Sequence, residues 1–372
     1  MTILSSIRVL EIEGIGPGPF CGMLLADLGA EVIVIERKGG ASAEKAIYRR
    51  GKTVAPLDLK DPRAVDAIKT LVKNCDCLIE GMRPGVMERL GLGPDVLRTE
   101  NPRLVYGRIT GWGQTGPLAN SAGHDINYVG LSGAAWYSGQ VRDGHVAPAP
   151  PPTLVGDVAG GSLYLALGLL SGVIKARETG EGSVVDAAIV DGSAHMMNLL
   201  LTVKAAGAMV EERGKSMLDG GYFYDVYPCK DGKYITVGPL EPKFYAQLLD
   251  KLGLAGDPIF AVQYDQSKWD EARGRLGEVF ASETQSHWRD LLEGTDVCFS
   301  PVLSPSEAAD HPHMKARGVY ETVGGILQAV AAPRFNGSPP TTPQEPSAST
   351  DAAVIALVNL GIDENEARAL LS

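Results

Sequence analysis

Cysteine is scarce in this chain and badly placed for bridging or for metal binding. Its five copies (Cys21, Cys75, Cys77, Cys229 and Cys298) show neither even pairing nor metal-ligand spacing, which excludes a disulfide framework. Positive charge is in deficit too. The 34 Lys and Arg stand against 45 Asp and Glu, a net charge of −11, and this argues against nucleic acid as a partner of the whole protein. No apolar run reaches membrane length: Leu163 to Val173 carries Gly168 and Gly172 and is too short to span a bilayer. Met1 to Arg8 has no signal-peptide layout, and Leu370-Leu371-Ser372 is no peroxisomal address, so a reducing cytoplasm is the expected compartment. Nucleophile-elbow, P-loop and zincin motifs are all missing.

What is present is a regular alternation of strand and helix over the first half of the 372 residues. Ile7 to Ile12 reads as a strand, Gly14 to Pro19 as a tight turn, Phe20 to Leu28 as a helix closed by Gly29, and Glu31 to Glu36 as a second strand. A helix over 62–74, a strand over 77–80, a helix over 93–100 and a strand over 104–109 continue the pattern. It predicts an α/β fold with a Rossmann-like, doubly wound parallel sheet. A long helix from Asp157 through Ala176 and a strand over 182–188 follow.

From Gly220 the texture changes. Tyr222 to Pro228 and Tyr234 to Gly238 flank the turn Lys230-Asp231-Gly232, a hairpin signal, and helices are expected over 242–252, 269–281 and 287–292. The expected organisation is a large α/β domain over 1–190, completed by 330–372, and a smaller α+β domain over 221–315. A helical linker over 191–220 and a return linker over 316–329 join them. Pro333 to Thr350 reads as a surface crossing, and two short C-terminal helices close the chain.

Chemistry concentrates at His124-Asp125 and at Asp157, which stands at the apparent mouth of a helix. A histidine and a carboxylate on opposite sides of a carbon beside a carbonyl could remove a proton from one face and return one to the other. Each residue also has an ordinary alternative: His124 as a loop hydrogen-bonder, Asp125 and Asp157 as helix caps. Capping and chemistry are compatible, because unpaired N–H groups at a helix start would stabilise an enolate oxygen. Gly160 and Gly161 would let a thioester approach the backbone.

The turn Gly14-Ile15-Gly16-Pro17-Gly18-Pro19 departs from a dinucleotide fingerprint, since two prolines withhold N–H donors, and reads as a structural turn. Arg37, Lys38, Lys45, Arg49, Arg50 and Lys52 form a basic segment, with Arg83 and Arg89 on a second turn. They read either as a phosphate site or as a solvated charged loop. Glu241 before Pro242 reads as another cap or as a carboxylate that orients a histidine. His311-Pro312-His313 reads as a surface turn. Met196, Met197, Met217 and Tyr222 to Tyr224 read either as a plastic apolar lining or as core.

Taken in order, these texts resemble the family III CoA-transferase superfamily, and within it the α-methylacyl-CoA racemases. The residues carrying the resemblance are Arg8 to Glu11, Ala26 to Val32, Leu57 to Lys60, Arg83 to Val86, Arg89 to Gly93, Gly111 to Pro117, Gly123 to Tyr128, Gly156-Asp157, Val184 to Ala188 and Glu241 to Tyr245. The resemblance implies interconversion of (R)- and (S)-2-methylacyl-CoA thioesters through an enolate, with His124 and Asp157 as the acid/base pair and Glu241 behind His124. Arg37, Arg50, Lys52, Arg83, Arg89 and Asp125 would contact the CoA moiety. It further implies an interlocked homodimer, no cofactor beyond the CoA of the substrate, and an acyl group that the sequence leaves open.

Transferases of this superfamily use the aspartate matching Asp157 as a nucleophile. A non-catalytic CoA- or nucleotide-binding protein is the remaining alternative.

Overall fold

Runs of Val, Ile and Leu that are buried on both faces form the strands over Arg8–Ile12, Glu31–Arg37 and Cys77–Glu80 of the large sheet, as parallel sheets require. The computed structural model describes residues 2–38, 47–139, 147–337 and 342–372. Six strands, β1 (Arg8–Ile12), β2 (Glu31–Arg37), β3 (Thr53–Leu57), β4 (Cys77–Glu80), β5 (Val105–Thr110) and β6 (Val184–Ala188), lie in the order β3-β2-β1-β4-β5-β6. Every neighbouring pair is parallel. The order reverses direction between β1 and β4, which makes the crevice beyond their carboxyl ends the expected ligand position.

The doubly wound expectation is met. The strand at Thr53–Leu57 is an addition to it, and Pro56 explains why: a proline within a run argues against a central strand. β3 in fact lies at the end of the sheet order, where proline is tolerated. Beyond it, Val54 N–H donates to Ser347 O and Ser347 N–H to Lys52 O. Part of the expected surface crossing therefore pairs with the sheet edge, while residues 338–341 of that stretch lie outside the described residues.

Helix α1 (Pro17–Asp27) follows β1, with its first proline where the missing N–H is harmless. Helix α2 (Pro62–Leu71) follows β3, capped by the Asp61 side chain. Then come α3 (Val86–Arg89), α4 (Pro94–Glu100) and α5 (Asp125–Leu131). A π-helix over Leu154–Ser162 runs directly into α6 (Leu163–Thr179), and α7 (Ile189–Met196) follows β6.

The joined helix Leu154–Thr179 is 26 residues long, and by length and composition it is long and apolar enough to cross a membrane. This exceeds what the run Leu163 to Val173 predicted. Leu165, Leu169 and Val173 nevertheless share one buried cluster with Val105 and Ile109 of the sheet, so this side of the helix is a sheet-covering layer.

The chain divides into two compact units: 1–134 with 151–196 and 311–372, and 135–150 with 197–310. In the second unit β7 (Asp225–Pro228), β8 (Tyr234–Val237) and β9 (Phe299–Val302) form an antiparallel sheet in that order, and the expected hairpin is its first pair. Helices Pro242–Lys251, Trp269–Ala281 and Gln285–Leu292 cover it. Tyr222 and Phe223 belong to this unit's core with Tyr245, Phe260 and Trp269, which decides their reading as core; Tyr224 is exposed. The stretch expected as a return linker contains a hairpin of β10 (Tyr320–Val323) and β11 (Ile326–Ala329), part of the first unit.

Candidate active site

A cavity of about 230 Å³ opens at the reversal point of the large sheet. Ile12 ends β1, Gly81 follows β4, and Ile109 and Thr110 end β5; the segment Gly14–Pro19 forms one wall, its last three residues already the start of α1 rather than part of the expected turn. His124, Asp125, Tyr128 and Asp157 line the same space. The three polar residues singled out in the sequence, with Asp157 standing 32 positions after Asp125, are thus brought together where parallel-sheet topology concentrates ligands.

His124 stands immediately before α5. Its backbone N–H donates to the Asn127 side chain at 3.0 Å, and its carbonyl accepts the Asn127 N–H at 2.8 Å, which sets the direction in which α5 leaves. Tyr128 anchors the same turn from below: its hydroxyl donates to the Gly123 carbonyl, and its ring meets Trp112 edge-on at 4.7 Å between centroids. In the sequence Trp112 and Tyr128 stand only inside longer motifs, with no task of their own. Their signal was an aromatic in each of two neighbouring glycine-rich texts.

Asp157 is not the cap of its helix. That position belongs to Thr153, held at φ 61, a left-handed conformation unusual for a β-branched residue. Asp125 holds this bend: its Oδ2 accepts the Thr153 N–H at 3.1 Å and its Oδ1 accepts the Asp157 N–H at 2.9 Å. Asp125 was expected beside the CoA arm; it is buried, and each of its two oxygens already accepts a backbone N–H. It also occupies the Asp157 N–H, one of the donors expected for an enolate oxygen.

The first turns are wide, with Val158 N–H donating to Thr153 O five residues back. Such π-segments are frequent at functional sites. The Asp157 carboxyl sits half-buried, and burial pushes its pKa up to about 6; the neighbouring Asp125 carboxylate adds to the rise and His124 opposes it.

Gly160 and Gly161 do not serve substrate approach. A Cβ on Gly160 would lie 2.5 Å from Ser193 Oγ, and one on Gly161 3.1 Å from the Ile189 side chain. Their role is close packing of the π-helix against α7. Ser162 was also missed: its buried Oγ lies 2.8 Å from Pro17 O and 2.9 Å from Asp157 O, joining the glycine turn to the Asp157 helix.

The basic residues divide according to which strand end they occupy. Arg37 ends β2, and Arg83 and Arg89 follow β4; all three are exposed and have no ion-pair partner among the described residues. Arg83 lies close enough to the cavity for its charge to act on the Tyr128 hydroxyl.

Arg50 and Lys52, expected among the CoA contacts, both precede β3, and neither lines the cavity. Arg50, 6% exposed, holds Asp27 at the end of α1 with a two-pronged contact, together with Gln328 Oε1 and Ala329 O. Lys52, 1% exposed, bonds Glu11 at 2.6 Å and Pro19 O at 2.8 Å. Both cations are taken up by partners inside the protein; charge density along the sequence could not reveal partners so distant in the chain. Lys45 lies outside the described residues. Glu241 heads the helix Pro242–Lys251 in the second unit, exposed and without a side-chain cap bond. The His311 ring accepts the His313 N–H at 3.2 Å, the geometry of a capped turn.

The family profile described as CoA-transferase family III matches residues 4–351. The chain is 38% identical over 353 residues to the alpha-methylacyl-CoA racemase of Mus musculus, covering 95% of this chain and 90% of that one. To the alpha-methylacyl-CoA racemase of Homo sapiens it is 41% identical over 320 residues, covering 86% and 82%. The crystal structure of a CAIB/BAIF family protein from Brucella suis shares the fold, with a TM-score of 0.81 at 24% identity over 96% and 99% of the two chains. A sheet ordered around β1 and β4, a cavity at its reversal point and a match along nearly the whole length agree: the chain belongs to CoA-transferase family III.

Proposed function

We propose that the protein interconverts the (R)- and (S)-epimers of 2-methylacyl-CoA thioesters by a 1,1-proton transfer. His124 takes the α-proton from one face while protonated Asp157 donates to the other, and the roles reverse for the opposite epimer. The observation that carries this reading is the presence of His124 and a half-buried Asp157 in one cavity, with the carboxyl pKa near 6. At that value roughly a tenth of the carboxyl is protonated at pH 7, enough to supply an acid. The racemase relatives favour the same chemistry.

The two starting states, neutral His124 with Asp157 protonated and the reverse, hold the same number of protons. The pH profile is therefore a bell with the same apparent limbs in both directions, and those limbs belong to the pair. The chemistry needs no metal or redox cofactor beyond the CoA of the substrate.

The test is α-proton exchange in deuterated water with a single-epimer 2-methylacyl-CoA. Absence of deuterium uptake by the wild type would sink the reading. The family also supports a rival, in which Asp157 attacks the acyl carbonyl. Hydroxylamine trapping on Asp157, with CoA passing to a free acid, would favour that rival.

Arg37, Arg83 and Arg89 are the proposed phosphate contacts, because they are exposed at the carboxyl ends of the strands. Arg83→Ala should raise KM for the thioester about tenfold, more at low salt than at high, and leave the melting temperature unchanged. Arg50→Ala should behave oppositely, lowering stability by about 2–3 kcal/mol because the largely buried Asp27 carboxylate loses its partner. Kinetics and thermal melts on the two variants check both statements.

The proposed assembly is a cytoplasmic homodimer with Glu241 reaching His124 of the other subunit. Leu167 on α6 is 63% exposed and Leu199, on the helix Asn198–Ala205, 73%, and that second helix buries none of its residues. Apolar helix faces of this kind call for cover. Light scattering that reports a monomer would remove the cross-subunit role of Glu241.

A further inference from the structure

Below α1 lies a buried ion pair that the proton-transfer chemistry does not use. Glu11 is on β1 and Lys52 just before β3; both are almost fully buried, with Lys52 Nζ 2.6 Å from Glu11 Oε2. Ion pairs inside an apolar layer are weak stabilisers, because the loss of hydration offsets the attraction. Burial pushes the Glu11 pKa up to about 7 against the pull of Lys52, and drives the Lys52 pKa down. A pair that gains so little by being charged calls for another role.

The geometry supplies one. Lys52 Nζ also donates to Pro19 O at 2.8 Å. Pro19 lies in the first turn of α1, which walls the catalytic cavity together with Gly14–Gly16, and Pro17 and Pro19 offer carbonyls there but no N–H donors. The other proline carbonyl, Pro17 O, is held by Ser162 Oγ, which lies equally close to Asp157 O. Just before the two prolines Gly16, the N-cap of α1 at φ 71, brings the wall close to Asp157: a Cβ there would lie 3.5 Å from Asp157 Oδ2. Space for the pair is left by Gly22 on α1, where a Cβ would fall 1.9 Å from Glu11 Oε2 and 2.8 Å from Lys52 Nζ.

We propose that Lys52 is a positioning residue: held by Glu11, its Nζ grips the Pro19 carbonyl and fixes the Gly14–Pro19 wall of the cavity against Asp157. The inference rests on the proton-transfer reading for its consequence, and on the hydrogen bonds alone for its geometry. The wall excludes water from one side of the Asp157 carboxyl, so loosening it should hydrate that group and lower its pKa.

The test replaces the pair by apolar residues of similar size, Glu11→Leu with Lys52→Met, an exchange that commonly preserves stability. The expected result is a melting temperature close to wild type and faster amide exchange in the segment Gly14–Cys21. The kcat for α-proton exchange should fall about 10- to 100-fold in both directions with KM little changed. The limb of the pH profile contributed by Asp157 should move to lower pH. Gly22→Ala presses on the same pair with both charges in place, and should shift amide exchange and the pH profile in the same directions if the double variant does not fold.

Unchanged kcat, pH limbs and amide exchange in a folded double variant would overturn the proposal. A fall in melting temperature with those three unchanged would also overturn it, leaving a merely structural pair. If the wild type takes up no deuterium, the racemase reading fails, and amide exchange still decides whether Lys52 orders the turn.

Discussion

Replacing His124 by alanine should lower α-proton exchange by a factor on the order of 10²–10⁴, the usual contribution of a positioned acid/base group. His124 sits at the head of α5 in the cavity, and the backbone around it is set by Asn127 and Tyr128. Removing its ring leaves that scaffold in place. The thioester KM should therefore change little, and the melting temperature hardly at all. Because each direction uses His124 once, as base or as acid, both epimers should lose rate together. Deuterium uptake followed separately from each epimer checks this, and full activity in the variant would show that the base lies elsewhere.

Asp157→Asn should be equally damaging to exchange and yet should stabilise the protein. The sign follows from the carboxyl pKa, raised from 3.8 to about 6 on folding by burial and by Asp125. The folded state then holds its proton more tightly than the unfolded chain does. Stability falls as pH rises from about 4 to about 6, and the penalty is fully present above that window.

Asparagine is neutral at every pH and avoids the penalty. After discounting for a half-exposed group, the gain above pH 7 should be about 1–2 kcal/mol, vanishing below pH 4. Thermal melts at pH 4 and pH 8 make the comparison. A variant less stable than wild type at pH 8 would mean that the carboxylate is stabilised by a partner rather than strained by burial. Loss of rate together with gain of stability is the signature expected of a functional group held against its own preference.

Much of the fold could be read from the sequence because its signals are local. The apolar runs of β1, β2, β4 and β5, the Gly29 stop and the Lys230-Asp231-Gly232 turn each fit within a few residues. β3 was hidden by Pro56, which becomes permissible only once the strand is known to lie at an edge. At the site, residue types could be read and partners could not. His124, Asp125 and Asp157 announced a polar cluster, but only the fold shows that Asp125 holds the Thr153 bend while Asp157 faces the cavity. Arg50 and Lys52 looked like phosphate ligands because their carboxylates, Asp27 and Glu11, stand far away in the chain. Gly160 and Gly161 looked like room for a ligand and proved to be room for α7.

The C-terminal segment has a consequence for how the protein is made. Ser347 pairs with β3, and Val354, Leu357 and Leu370 complete the cluster that also holds Ile33, Leu57 and Ile68. These partners are about 300 residues apart in the chain, so at roughly 5–20 residues per second the ribosome separates them by roughly 15–60 s. During that interval the nascent sheet carries an open edge at β3 and an uncovered apolar face, the features that recruit chaperones or seed aggregation. The segment 197–310, which folds into the other unit, is synthesised within the same interval. Yield during expression should thus depend on the last thirty or so residues far more than their distance from the catalytic cavity implies.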